Sequence, residues 1–228
     1  MKFLIIKKKT ICIVMAIIIA IASMITFSII TTSSSPKAEY TIVIDAGHGG
    51  RDGGTSGKAS GISESELNLA YAKTLKQMCE QFGIAVVMTR EDMNGLYDEN
   101  ASNKKKSEME KRKQIINNSG ADIMVSIHMN AFPLPSCSGA QVFYAKGSQE
   151  GENLARSITS SICQSFDNAR DYPTVGDYFV LNYSDMPSVL IECGFLSNIE
   201  EEANLQKEEY RQSFCYAIMA GILSYFRF

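Results

Sequence analysis

From residue 41 onward the chain alternates short β-branched runs with longer stretches whose apolar residues recur at helical spacing, and this alternation restricts the fold more than any other feature. Strands are expected at Thr41–Asp45, Ile84–Thr89, Asp122–Ile127, Ala140–Tyr144, Tyr178–Leu181 and Ser188–Glu192. Helices are expected at Ser63–Phe82, where Leu67, Tyr71, Leu75, Met78 and Phe82 share a face, and at Glu108–Asn118, Gln149–Phe166 and Glu208–Phe226. Strands joined through helices pair in parallel, because each crossover brings the chain back in the same direction. The expected class is α/β: a single domain with a mostly parallel twisted sheet and helices on both faces, following an N-terminal membrane helix.

That membrane helix is read from Ile11–Ile30, twenty residues without a charge, preceded by Lys7, Lys8 and Lys9. At about 1.5 Å per residue such a helix is roughly 30 Å long, enough to cross a bilayer. A cleaved signal peptide is the competing reading, but its apolar region is shorter and ends in a small-x-small site that is not evident here. The lysines place the amino end in the cytoplasm and the rest of the chain outside it. Residues 1–31 are thus a signal anchor, 32–38 a Ser/Thr/Pro linker, and 39–228 the catalytic domain. Without its first 38 residues the chain has 17 basic against 25 acidic residues, a formal charge near −8, which disfavours a nucleic-acid partner.

The chain has two histidines, and both fall at the ends of expected strands. His48 follows Ile42–Asp45 within Gly-His-Gly-Gly, where glycines let the backbone pass close to the imidazole. His128 lies in Ser126-Ile-His-Met-Asn130, and alternation puts Ser126, His128 and Asn130 on one face. Glu64 opens the first expected helix, one residue after the candidate cap Ser63, with Glu66 as its capping-box partner. Spacing alone reads Glu64 equally as a third ligand or as a solvated acid that complements the helix dipole. Two histidines and an acid suit a zinc site with an open fourth position. Glu192 ends the apolar run Val189-Leu-Ile, where a carboxylate is costly to bury without a partner or a task; general base is the task it suits.

Taken together, Asp45-Ala-Gly-His48-Gly-Gly, Glu64-Ser-Glu-Leu-Asn68-Leu, Thr89-Arg90, Arg112–Asn117, Ser126–Asn130 and Ile191-Glu192-Cys-Gly-Phe-Leu-Ser-Asn198 resemble the successive motifs of the zinc N-acetylmuramoyl-L-alanine amidases of the amidase-3 type. The resemblance implies cleavage of the amide between muramic acid and the L-alanine of the stem peptide in peptidoglycan. It also implies that His48, Glu64 and His128 hold zinc and that Glu192 is catalytic. Ala46 stands where the family commonly has proline, and Glu66 where it often has aspartate. Asn68, Ser126 and Asn130 are expected near the ligands as supporting or substrate-positioning groups. Arg90 and Arg112 are read as structural ion-pair partners, and Lys104-Lys-Lys106 as part of a solvated loop within Glu91–Ser107.

No Cys-x-x-Cys motif is present, and Cys193 faces away from Glu192, which argues against a Cys/His nucleophile. Only about ten residues lie between Asn130 and Gln141, too few for the self-inhibitory helix some family members insert there. An open site, or regulation by a separate activating or localising protein, is expected. One membrane segment and one bare domain look most like the sporulation amidases, which prepare muramic-δ-lactam in spore cortex. A housekeeping or cell-separation amidase, a zinc hydrolase of another amide, and a non-catalytic wall-binding module are the alternatives.

Overall fold

The computed structural model describes residues 15, 17, 18, 39–183 and 185–226. Apart from residues 15, 17 and 18 the expected membrane segment lies outside the described residues, and among those described no helix is long and apolar enough to cross a membrane. Ala38–Phe228 forms one compact unit.

Its elements in order are β1 (Thr41–Ala46), α1 (Glu64–Gln81), β2 (Ala85–Met88), α2 (Lys104–Asn118), β3 (Ile123–Asn130), β4 (Gln141–Tyr144), α3 (Gln149–Cys163), β5 (Thr174–Val175), a 3₁₀ turn (Phe179–Asn182), β6 (Ser188–Phe195), α4 (Ile199–Leu205) and α5 (Glu208–Phe226). The strands form one sheet in the order β2-β1-β3-β6-β4-β5. β2, β1, β3 and β6 run parallel, whereas β4 is antiparallel to β6 and carries β5 parallel to itself. The sheet is therefore mixed, mostly parallel, with a reversed edge.

Strand alternation divides the core into two layers. Ile42, Ile44, Ile123, Val125, Ile127, Val189 and Ile191 meet α1, α3 and α5 on one face. Val43, Met124 and Leu190 point to the other face, where Ile116 of α2 and Val180 and Leu181 of the 3₁₀ turn close over them. Buried apolar residues on both faces are what central parallel strands require. On the first face α3 and α5 approach closely at Gly221, where an added Cβ would lie 2.5 Å from Ile158 Cα.

Several elements differ from the sequence expectation. β3 runs on to Asn130, so His128 lies within the strand rather than just past it. α2 begins at Lys104, and Asn103 Oδ1 accepts from the Lys106 N–H at 2.9 Å, so the lysine run is a first helical turn and not a loop. Tyr178–Leu181 is not a strand; residues Phe179–Asn182 coil as a 3₁₀ turn, and the edge pairing is taken instead by Thr174–Val175. α4 was not foreseen and is capped by Asn198 Oδ1, which accepts from the N–H groups of Glu200 and Glu201. Ser63 Oγ accepts from the Glu66 N–H at 3.3 Å, the Ser63 half of the expected capping box.

Because the backbone of Ile158 leaves no room for a side chain at residue 221, Gly221→Ala is expected to lower stability by roughly 1–3 kcal/mol through overpacking, although alanine is the better helix former. Denaturant unfolding checks this: a midpoint equal to or above that of the unmutated chain would show that α3 and α5 can part without cost.

Candidate metal centre

The centre is assembled where β1, β3 and β6 end and α1 begins. After Ala46 the chain turns through Gly47 into His48, whose φ of 59° is the one left-handed backbone among the described residues other than glycines. Gly47 is required by close approach, since a Cβ there would sit 2.2 Å from His128 Nε2. The imidazole of β3 thus packs directly against the β1 turn, and the two rings stand 5.0 Å apart at 74°.

Glu64, in the first turn of α1, is buried and reaches both rings. Its Oε1 lies 2.9 Å from His128 Nδ1 and 3.2 Å from His48 Nε2. The other oxygen, Oε2, accepts from the Thr55 N–H at 2.9 Å. Burial pushes the Glu64 carboxyl up, but the hydrogen bonds and charges of His128 and His48 outweigh it and hold the pKa well below the ordinary range. The His48 pKa is raised: burial lowers it, and Glu64 and then Asp52 more than compensate. One ligand atom from each of His48, Glu64 and His128 lies within 4.8 Å of the others, so the three could hold one metal ion. Two imidazole nitrogens and a carboxylate oxygen, with space left for a fourth donor, fit zinc.

Glu192 stands across from them. It is the register partner of His128 on the neighbouring strand β6, so both side chains rise from the same face of the sheet. It is buried, and its Oε2 has no hydrogen-bond partner among the described residues. Burial, with a smaller push from Glu64, raises its carboxyl from 4.5 to about 7 against the opposing pull of His128 and His48. A carboxyl poised near neutrality with a free oxygen beside a possible metal site can exchange a proton with substrate or water. A cleft of about 120 Å³ opens at both imidazoles and is lined by His48, His128, Lys105, Tyr178 and Phe179 among others.

The three expected supporting residues have different surroundings. Asn68 is fully buried and donates through Nδ2 to Gly47 O at 3.2 Å and to Glu64 Oε1 at 3.3 Å, touching both the turn and the carboxylate. Ser126 does not reach the cluster; its Oγ donates to Asp45 Oδ2 at 2.6 Å. Asn130 is held through its backbone, its carbonyl accepting from the Leu196 N–H at 2.8 Å.

Asp45 was not singled out in the sequence, although Thr89 Oγ1, Ser126 and Arg112 all donate to it. Arg112 also donates to Ala46 O, His48 O and Glu108 Oε1. Arg90 is not an ion-pair partner, contrary to expectation: its guanidinium donates to the carbonyls of Ala46, Asp92, Gly47 and Ser65. Asp52 also escaped notice. It lies four residues beyond His48 across two glycines, a spacing that folds a tight turn back on itself and was the available signal.

Two imidazoles from the ends of central parallel strands, a glutamate from a helix N-terminus and a buried acid opposite them form an arrangement that suits a metal-assisted hydrolytic centre. The chain belongs to the N-acetylmuramoyl-L-alanine amidase family, whose family model matches residues 42–224 and so takes in all four of these side chains. It is 34% identical over 197 residues to the germination-specific N-acetylmuramoyl-L-alanine amidase of Bacillus subtilis, covering 85% of this chain and 82% of that protein. Among solved structures it is similar to the CwlD amidase of Clostridioides difficile in complex with the GerS lipoprotein, with a TM-score of 0.79, 38% identity, and coverage of 83% of this chain and 99% of that one. The catalytic domain of CwlV from Bacillus (Paenibacillus) polymyxa is matched with a TM-score of 0.73 and 28% identity over 82% of this chain and 98% of that one. Coverage of nearly the whole of both solved chains means that the likeness extends over the domain and is not confined to a motif.

Two variants test the electrostatics of the centre. Between pH 4.5 and about 7 the folded state keeps a proton on Glu192 that the unfolded chain has lost, so this group withdraws stability as pH rises through that window. Glu192→Gln is therefore expected to stabilise the chelator-treated protein by up to about 3 kcal/mol at pH 8, with the two proteins converging at pH 4. Equal stabilities at pH 8 would show that Glu192 is not strained by burial. Asp45 has the opposite sign. Burial raises its pKa, but Arg112 and then Ser126 bring it below the usual 3.8, so its contribution is complete above that value and is lost only as pH falls through the lower, folded one. Asp45→Asn is expected to cost about 3 kcal/mol or more at pH 7, because it removes a charge partner from a buried guanidinium, as read by denaturant unfolding.

Proposed function

We propose that this chain hydrolyses the amide joining N-acetylmuramic acid to the L-alanine of the peptidoglycan stem peptide, with zinc held by His48, Glu64 and His128 and with Glu192 as general base. The observation that carries this reading is the convergence of those three donors opposite a buried carboxylate that has no partner. The donor set suits zinc, and when bound the ion supplies Lewis acidity, polarising the scissile carbonyl and making water easier to deprotonate. His48 presents Nε2 and His128 presents Nδ1, the nitrogens that face Glu64. Glu192 takes the proton from the attacking water through its unpartnered Oε2 and delivers it to the departing amine of L-alanine. Its pKa near 7 suits a group that must act first as base and then as acid. Asn68 keeps Glu64 and the Gly47 turn in register. Ser126 acts at one remove, through Asp45, and Asn130 is placed at the end of β3 to contact substrate.

The likeness to a germination-specific amidase and to CwlD supports a role in spore cortex, where removal of stem peptides precedes muramic-δ-lactam formation. The solved complex of CwlD with a lipoprotein supports a separate protein as activator or localiser of this chain as well. Residues 1–31 as a membrane anchor, 32–38 as linker and 39–228 as catalytic domain place the site outside the cytoplasmic membrane, where peptidoglycan lies.

The test is digestion of purified peptidoglycan by the full-length chain with zinc, beside Glu192→Ala and His128→Ala, followed by mass analysis. Stem peptides that begin at L-alanine are expected from the unmutated chain. Glu192→Ala should lower turnover by roughly 10²–10⁴-fold with zinc content kept, and His128→Ala should lose zinc as well. Full turnover by Glu192→Ala would remove it from the chemistry. Intact stem peptides after treatment with the zinc-loaded chain and its lipoprotein partner would overturn the amidase assignment.

A further inference from the structure

We infer that Asp52 is a positioning residue for His48 and that Lys105 anchors it, an assignment that rests on the zinc reading above. The two histidines are supported in different ways. His128 stands on a central strand, with its ring against the backbone of Gly47 and its Nδ1 2.9 Å from Glu64 Oε1, so strand, packing and carboxylate together fix it. His48 sits on a turn, in a left-handed backbone that side-chain-bearing residues rarely adopt, and its ring needs another restraint. The turn supplies one. Paired hydrogen bonds close it, from the Gly49 N–H to Asp52 O at 2.8 Å and from the Asp52 N–H to Gly49 O at 3.1 Å, and they bring Asp52 back over His48.

Asp52 Oδ1 then lies 2.9 Å from His48 Nδ1, within hydrogen-bond distance though not aligned as one. The same oxygen accepts from the Gly54 N–H at 3.2 Å, and Oδ2 accepts from Lys105 Nζ. Lys105 comes from the first turn of α2 and lines the same cleft as His48.

A ligand imidazole has two tasks that must be kept on separate nitrogens. Nε2 of His48 faces Glu64 at 3.2 Å and must offer a lone pair, so Nδ1 must carry the proton. A carboxylate against Nδ1 holds the ring in that tautomer and at that angle, and loss of such a support characteristically weakens metal binding by 10–100-fold. Lys105 in turn fixes the carboxylate, so a helix that contributes no ligand helps to set the geometry of the centre.

The experiment compares the unmutated full-length chain with Asp52→Asn and Lys105→Met by zinc competition against a chromophoric chelator and by imidazole NMR of the zinc-loaded proteins, which reads how fast the His48 Nδ1 proton exchanges with water. With only two histidines in the chain, the resonances are readily assigned. Asp52→Asn should bind zinc roughly 10–100-fold more weakly and should speed exchange of the Nδ1 proton. Lys105→Met should shift both readouts in the same direction by a smaller amount, and it decides the matter if Asp52→Asn fails to fold. Zinc affinity within twofold of the unmutated chain together with unchanged exchange, in either folded variant, overturns the inference alone. If the unmutated chain binds no zinc, the metal reading fails and the inference that rests on it falls with it.

Discussion

The guanidinium of Arg112 is the point on which the end of β1 depends. Buried between Asp45 and Glu108, it also donates to the carbonyls of Ala46 and His48. Those carbonyls belong to residues where the chain leaves the sheet and can no longer satisfy its backbone through strand pairing. Arg90 does the same work from the other side, on Ala46, Gly47 and Ser65. Two cations clamp three successive carbonyls, those of Ala46, Gly47 and His48, at the turn on which His48 sits. A buried ion pair gives little net stability, but its loss leaves a charge without compensation. Its value here is that it fixes one arrangement of a segment whose left-handed His48 would otherwise have easier conformations.

That clamp explains which parts of the fold were legible in the sequence. β1, β3 and β6 carry buried apolar residues on both faces, and the runs Ile42-Val-Ile and Val189-Leu-Ile announce buried strands directly. α2 was only half visible because its buried stripe is Glu108, Arg112 and Ile116, two charges and one apolar residue at helical spacing. Hydrophobic periodicity cannot find a helix that faces the core with an ion pair, so its first turn, with Lys105, read as loop. The 3₁₀ turn at Phe179–Asn182 is apolar for a different reason: Val180 and Leu181 plug the core while Phe179 stays exposed beside the cleft. A short apolar run of that kind does not distinguish a strand from a turn.

The site divides in the same way. His48, His128 and Glu192 stood out because each was anomalous in its local pattern: scarce residues at strand ends, or an acid after an apolar run. Glu64 did not, since an acid in the first turn of a helix is ordinary; only the fold shows both imidazoles turned toward it. Asp45 and Asp52 were passed over because their significance lies in partners 67 and 53 residues away, Arg112 and Lys105. Arg90 was misread for a related reason. Sequence shows charges but not carbonyls, and an arginine that serves only backbone oxygens looks the same as one that seeks a carboxylate.

Because the three proposed ligands come from β1's turn, α1 and β3, the centre does not exist in the unfolded chain. Metal binding and folding are then linked: an ion that prefers the folded state stabilises it by RT ln(1 + [L]/Kd), about 2.7 kcal/mol when the ion is at 100 times its Kd. The same ion bears on Glu192. A carboxyl raised by burial and by the charge of Glu64 is under electrostatic strain, and a dication placed among His48, Glu64 and His128 would relieve it by favouring the ionised form. The cost of keeping Glu192 without a partner is thus largest when the site has no use for it, and it falls when a base is needed.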